Sequence, residues 1–131
     1  MPRFAVLAVT LGLLVPTATL ADAGKGQQVF QRCAACHSVA ERQNADQGNL
    51  PGPNLRGVVG RRAGTLAGFE YSSAMVDAGK TDNVVWTPET LDKYLTDPDD
   101  VVPGTAMRLN FPLTPNDRRD VIEYLEQAGK N

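Results

Sequence analysis

The residues best suited to chemistry lie together in one short segment, RCAACHSV, at residues 32–39. The segment contains Cys33 and Cys36, the only cysteines of the chain, and His37, its only histidine. Thiolates and imidazoles are reactive groups and good metal ligands. Because the cysteines stand three residues apart on a predicted helix, both thiols project from the same side of it.

Four kinds of site are compatible with this segment. A disulfide over two residues would close a very small loop and constrain little of the unfolded chain. A thioredoxin-like redox pair needs a βαβ context that the sequence does not predict. A zinc site needs four ligands, whereas the chain offers two cysteines and one histidine. The fourth alternative uses all three residues, because C-x-x-C-H is the attachment signature of a c-type haem. Since this motif also arises by chance, the motif alone does not decide among the four kinds of site.

The amino-terminal residues have the layout of a secretory signal peptide. Arg3 adds a positive charge, an apolar run covers residues 4–15, and the small residues Thr19 and Ala21 precede the expected cleavage point. We therefore expect a signal peptide at residues 1–21, a single domain at residues 22–131, and a periplasmic location. The apolar run is shorter than the roughly 20 residues of a membrane span, so the cleaved chain is not expected to cross a membrane.

Composition limits the remaining function classes. The chain has 131 residues and a formal net charge of -2, and removal of Arg3 with the signal peptide leaves about -3. No basic run is present that could follow phosphates, so a nucleic acid partner is not expected. Aromatic residues make up only 6% of the chain. A small domain with so few large apolar side chains often depends on an added stabiliser such as a cofactor.

The first part of the domain predicts one helix followed by loops. Gly26, Phe30 and Cys33 recur at helical spacing, which predicts a helix over residues 23–35. The glycine-rich stretch at residues 38–87 predicts mainly loop.

The second part predicts two helices with clear boundaries. Thr87 is a candidate N-cap for a helix that Pro98 ends, and Thr114 with Asp117 has the spacing of a capping box. No segment alternates with period two over enough residues to predict a strand. The fold class is therefore all-α, with about three main helices.

A haem iron with six ligands would need a second protein ligand besides His37. The cleaved chain has two methionines, Met75 and Met107, and methionine is more often a core residue than a ligand. Met107 is the stronger candidate because Pro103 and Gly104 predict a turn just before it. A loop there leaves 70 residues after His37 to wrap around the ring.

With these motifs taken together, the sequence resembles the class I cytochromes c, the family of mitochondrial cytochrome c and its bacterial relatives. The resemblance covers about residues 24–125. It is carried by the blocks GQQVFQRCAACH, GPNLRGVVGRRAG, GFEYSSAM, LDKYLTDP, VPGTAM and RRDVIEYL, in that order. It implies the cytochrome c fold, in which helices and loops wrap around one covalently attached haem.

The resemblance also implies roles for individual residues. Cys33 and Cys36 would hold one haem c, with His37 and Met107 as the axial iron ligands. The other implied haem-binding groups are the Pro53 carbonyl as acceptor for the His37 ring, the Tyr94 hydroxyl near the Met107 sulfur, and Arg61, Tyr71, Trp86 and Thr105 near the haem propionates.

A helix crossing is implied as well. Gly26 and Phe30 of the first helix would cross Val121 and Tyr124 of the last, and glycine would let the two backbones approach closely.

Some residues depart from the family pattern. Asp99, Asp100 and Ala106 stand at positions where the mitochondrial proteins present lysines around the haem edge. Met75 replaces an asparagine of an internal hydrogen-bond network, and Leu109 stands where an aromatic residue often covers the haem edge.

The implied function is that of an exported electron carrier, a monomer and not an enzyme, which passes one electron at a time between redox protein partners. Two alternatives remain open. One is a haem peroxidase or small-ligand sensor with a labile sixth ligand, and the other is the dedicated haem subunit of a dehydrogenase.

Overall fold

The computed structural model describes residue 1, residues 20–41 and residues 50–130. The predicted signal peptide at residues 1–21 lies almost entirely outside these residues. Within them the chain forms five helices: α1 (Ala23–Phe30), α2 (Ser73–Lys80), α3 (Pro88–Thr96), α4 (Pro98–Val101) and α5 (Pro115–Ala128). The described residues form no sheet, only an isolated antiparallel bridge between Arg62 and Val85. The fold class is all-α, as predicted. None of the helices in these ranges has the length and apolar character to cross a bilayer.

The crossing of α1 and α5 organises the domain. A Cβ at Gly26 would lie 1.9 Å from the Asp120 carbonyl oxygen, so only glycine allows this approach. The Phe30 ring packs on Tyr124 with 5.5 Å between ring centroids. The Asp22 amide also donates to the nearly buried Asp120 carboxylate over 2.9 Å. The crossing implied by the sequence resemblance is therefore present.

The capping residues predicted from the sequence set the bounds of α3 and α5. The Thr87 hydroxyl accepts from the Thr90 amide, and α3 ends at Thr96, two residues before Pro98. At α5 the Thr114 hydroxyl accepts from the Asp117 amide, and the Asp117 carboxylate accepts from the Thr114 amide. Both halves of the capping box are thus formed.

The predicted helix over residues 23–35 is too long. It ends at Phe30, and residues 31–36 form turns in which the amide of Cys33 donates to Phe30 and that of Cys36 to Cys33. These bonds span three residues instead of four, which tightens the chain. The cysteines therefore lie on a tightly wound extension of α1 rather than on the helix itself.

The glycine-rich stretch contains a helix that the sequence analysis missed. Helix α2 begins after Ser72, whose hydroxyl accepts from the Met75 amide. Its Gly79 lies against the backbone of Ala63, where an added Cβ would come within 2.0 Å of the carbonyl oxygen. The four-residue α4 was also not predicted, because Pro98 both ends one helix and begins the next.

A single core joins these elements. Its buried members come from α1, α2, α3, α5 and the intervening loops: Phe30, Val58, Ala63, Ala78, Trp86, Leu91, Tyr94, Val102, Val121, Ile122 and Leu125. Cys33, Met75 and Met107 are partly buried against this cluster. The candidate ligands therefore lie at the edge of the core.

Candidate functional site

His37 is held against a loop that returns to the cysteine segment. The His37 Nδ1 atom lies 2.8 Å from the Pro53 carbonyl oxygen, and the Gly52 amide donates to the Cys36 carbonyl over 2.9 Å. Gly52 lies directly beside the imidazole, since a Cβ there would come within 2.3 Å of Cε1. The contact between His37 and Pro53 is the one that the resemblance implied.

This hydrogen bond fixes the state of the imidazole. A carbonyl oxygen can only accept, so Nδ1 carries a proton, and in the neutral imidazole Nε2 then keeps its lone pair. Burial lowers the pKa of His37 below its ordinary value, and the hydrogen bond to Pro53 opposes that shift. A neutral imidazole with Nε2 as a free base is the form that binds a metal.

Cys33 and Cys36 lie in the same tight turn and form no disulfide with each other. Cys33 is partly buried and Cys36 is exposed. Burial raises the pKa of the Cys33 thiol, while the neighbouring Arg32 partly opposes this. Both sulfurs are therefore available for thioether bonds immediately before His37.

Met107 lies on a loop that is anchored to the core through the neighbouring Thr105. Thr105 is almost fully buried, and its hydroxyl lies 2.8 Å from the Tyr94 hydroxyl. The same Thr105 oxygen accepts from the Met107 amide at 3.3 Å. Gly104 has φ of 77°, which turns the chain just before Thr105. The methionine backbone is thereby tied to α3 through one buried hydroxyl pair.

A chain of contacts connects this loop to Trp86 and Arg61. The Trp86 ring packs on Tyr94 with 4.9 Å between centroids, and the Trp86 amide donates to the Arg61 carbonyl over 2.9 Å. The Arg61 guanidinium donates to the carbonyls of Asn54 and Arg56. Burial raises the pKa of Tyr94, whose hydrogen bond with Thr105 partly opposes the shift. The Tyr94 hydroxyl therefore remains protonated and able to donate at neutral pH.

The structure thus joins two groups of the residues singled out from the sequence. One group is Cys33, Cys36, His37 and Pro53, and the other is Arg61, Trp86, Tyr94, Thr105 and Met107. The Tyr71 ring lies edge-on to Phe69 at 4.8 Å between centroids. The Tyr94 hydroxyl pairs with Thr105, whose oxygen also accepts from the Met107 amide. The implied places of Tyr71 near a propionate and of Tyr94 near the methionine sulfur stay predictions.

Sequence reasoning missed two contributors to this region. Gly52 was quoted only within a motif, although its lack of a side chain makes room for the His37 ring. Asn54 is buried, donates to the Ala40 carbonyl and accepts from the Arg56 amide, which shapes the loop after Pro53. Asparagine two residues after a glycine is a turn signal that could have indicated this role.

The residues present fit a c-type haem. Two thiols precede a neutral imidazole whose Nε2 is unprotonated, and a thioether is held on a separate loop. In the parts of the chain that the structure describes, no group of three or more His, Cys, Asp or Glu side chains could hold a metal. Two thiols, one imidazole and one thioether are the groups that attach and ligate the iron of a c-type haem.

Comparison with known proteins decides the family. The family model for cytochrome c matches residues 23–129. The chain belongs to the cytochrome c family. Relatives include a cytochrome c of Cochliobolus lunatus, 41% identical over 83% of this chain and 94% of that protein. A cytochrome c2 of Rhodomicrobium vannielii is 44% identical over 79% of this chain and 77% of that protein.

Solved structures agree with this assignment. Cytochrome c2 from Rhodospirillum centenum superposes with a TM-score of 0.69 at 37% identity, covering 82% of this chain and 98% of that one. Cytochrome cH from Methylobacterium extorquens gives 0.67 at 35% identity, covering 82% and 99%. This cytochrome c is thus a class I member with the all-α cytochrome c fold. As in its family, the cofactor is a covalent c-type haem, and Cys33 and Cys36 are the cysteines spaced to attach it.

Proposed function

We propose that this cytochrome c is an exported one-electron carrier in which His37 and Met107 ligate the haem iron from opposite sides. The observation that carries the proposal is the orientation of His37, whose Nδ1 proton is committed to Pro53 while Nε2 keeps its lone pair. Met107 is proposed as the second ligand because its backbone is tied to the buried Thr105. The bound haem would supply the iron that cycles between the ferric and ferrous states.

The residues of the chain act by holding the ligands in place. The Pro53 hydrogen bond orients the imidazole and increases its basicity. The Tyr94–Thr105 pair holds the loop of Met107 against the core, so that the same two ligands stay in place in both oxidation states. Thioether sulfur favours ferrous iron and raises the reduction potential. We further propose that Arg61, Trp86 and Tyr71 lie near the haem propionates.

Substitution of the two candidate methionines tests this ligation. In the ferric protein, sulfur ligation gives a weak long-wavelength charge-transfer band. Met107→Ala should abolish the band and open the iron to cyanide, whereas Met75→Leu, the matched control on α2, should retain it. Loss of the band only in Met75→Leu would reassign the ligand. A wild-type protein without the band would instead indicate a labile sixth ligand, as in a peroxidase or sensor.

Export is proposed from the signal-like sequence at residues 1–21. Cleavage after Ala21 would leave the Asp22 nitrogen as the terminal ammonium, 2.9 Å from the nearly buried Asp120 carboxylate. The fold is thus compatible with a chain that begins at Asp22. Mass spectrometry of the periplasmic fraction should find this start, and a full-length cytosolic protein would contradict the proposal.

The partners are proposed to be redox proteins that do not require a ring of lysines. Asp99 and Asp100 are exposed beside the Met107 loop, and the cleaved chain carries about -3 before the haem is counted. Because charge steers encounter between redox partners, an acidic partner should react slowly at low salt. Asp100→Lys should speed electron transfer to an acidic mitochondrial-type oxidase.

The matched control is Asp82→Lys, the same charge change on the exposed loop after α2. Asp99 is left intact in this test, since its carboxylate has structural contacts. Stopped-flow rates over a series of ionic strengths would distinguish the outcomes. A fast wild-type reaction that falls steeply with added salt would show that a basic docking face exists after all.

A further inference from the structure

Arg108 directly follows Met107, and its side chain binds the backbone carbonyls of Thr105 and Met107. The Arg108 Nη1 atom donates to the Thr105 carbonyl at 2.6 Å and to the Met107 carbonyl at 2.9 Å. The Nη1 nitrogen of a guanidinium carries two hydrogens, so this one atom can donate to both carbonyls. The exposed Arg108 side chain therefore links the two ends of the turn on which Met107 lies.

Asp99, in helix α4, adds contacts to the same turn. One carboxylate oxygen accepts from the Gly104 amide at 3.0 Å, and the other lies 3.6 Å from Arg108 Nη1. The carboxylate thus contacts the loop before Met107 and the guanidinium after it. The hydrogen bond to the Gly104 amide is charge-assisted, whereas the exposed ion pair with Arg108 contributes less.

The contacts of Arg108 and Asp99 form an outer clamp, which differs in solvent exposure from the inner support, the Tyr94–Thr105 pair. The Tyr94–Thr105 pair is buried and uncharged, whereas the side chains of Arg108 and Asp99 are 63% and 54% exposed. Dissolved ions screen exposed pairs far more than buried ones. The outer clamp should therefore respond to ionic strength, while the inner support should not.

We propose that Arg108 and Asp99 are positioning residues that keep the Met107 sulfur on the iron and thereby set how readily this ligand is replaced. The proposal rests on Met107 being the sixth ligand. Opening the loop would break the contacts of Arg108 and Asp99 together with the iron–sulfur bond, and an incoming nitrogen ligand would then form the new bond to iron without any change of oxidation state. An electron carrier benefits because a firmly held ligand excludes side reactions with small molecules.

Imidazole binding to the ferric protein measures this opening. At saturating imidazole the rate is limited by release of the methionine sulfur, and stopped-flow absorbance follows it. Loss of the two bonds in Arg108→Ala should raise the rate about fivefold to tenfold, after allowance for solvent exposure. Arg108→Lys, which keeps the charge but not the reach and geometry of the guanidinium Nη1 atom, should fall between this variant and the wild type.

Asp99→Asn and Asp100→Asn form a matched pair on the same short helix. Asp99→Asn keeps an acceptor for Gly104 but removes the charge, so it should raise the rate about twofold to threefold. Asp100→Asn makes the same charge change without touching the clamp and should match the wild type. Added salt should raise the wild-type rate toward that of Asp99→Asn.

Two further measurements, the charge-transfer band and the denaturant midpoints, separate this inference from its alternatives. If the wild type shows the charge-transfer band and Arg108→Ala opens no faster than Asp100→Asn, the clamp is wrong and the methionine ligation stands. If the wild type lacks the band, both fail together. The clamp bonds are lost on unfolding too, so the denaturant midpoint of Arg108→Ala should fall modestly. Asp117→Ala, which lowers the midpoint by breaking the α5 capping box, should leave the opening rate at the wild-type value. Equal acceleration in Asp117→Ala would show a general loss of stability and overturn the positioning role.

Discussion

Gly52 lies so close to His37 that one added methyl group is expected to displace the imidazole. In Gly52→Ala the new Cβ would lie 2.3 Å from Cε1, 2.6 Å from Nδ1 and 2.9 Å from Nε2. Ordinary contact begins at 3.4 Å, so the ring or the loop must move by about 1 Å. The φ of Gly52 is not positive, so the backbone itself accepts alanine and the cost is one of contact.

The magnitude follows from three effects. Overpacking costs about 1–3 kcal/mol, and weakening the 2.8 Å bond between His37 and Pro53 costs about 1 kcal/mol more. Alanine also restricts the unfolded chain, which returns about 0.4–1 kcal/mol. We therefore expect the free energy of unfolding to fall by about 1–4 kcal/mol.

Denaturant unfolding followed by fluorescence of Trp86, the only tryptophan, measures this loss, and the visible spectrum reports on the ligand. The control is Gly60→Ala, where no atom lies within 4 Å of the added Cβ but φ is 85°. That variant should lose about 1–2 kcal/mol through backbone strain alone, without a spectral change. A Gly52→Ala protein with wild-type stability and spectrum would refute the close packing of the imidazole.

Two other predictions concern the helices that support the site. Gly26→Ala should lower the free energy of unfolding by at least about 2 kcal/mol, since its Cβ would come within 1.9 Å of the Asp120 carbonyl oxygen. The control is Gly24→Ala on the same helix, where the added Cβ lies near only the Asp22 side chain and the free energy of unfolding should change little. Equal losses in the two variants would contradict the close crossing of α1 and α5. Asp117→Ala should cost about 0.5–1 kcal/mol at neutral pH by breaking the capping box. Hydrogen bonds from Thr114 lower the pKa of Asp117, so its stabilisation is present above the ordinary carboxyl pKa of about 4 and is lost as pH falls through the lowered value. The difference between wild type and variant should therefore shrink in acid, and a constant difference from pH 7 to pH 2 would show that the charge is unimportant.

Features fixed by local chemistry were predictable from the sequence. Thr87, Thr114 and Asp117 cap helices through contacts within three residues, so their types and spacing are sufficient evidence. The same holds for the turn at Gly104. The haem attachment segment was recognised because its three reactive residues are adjacent in the chain.

Features fixed by distant contacts were missed. Helix α2 is short and glycine-containing, and it packs its Gly79 on Ala63 from a separate loop. Gly52 matters only because the fold returns it to His37. The clamp of Asp99 and Arg108 depends on how α4 faces the following turn, which no periodicity reveals.

A spectroelectrochemical titration tests the central claim most directly, namely that the haem iron keeps His37 and Met107 as ligands in both oxidation states. The account predicts a single one-electron transition, identical in the reductive and oxidative directions, with full return of the ferric charge-transfer band after each cycle. Hysteresis between the two directions, or a band that does not return, would show that a ligand is exchanged and would contradict the account.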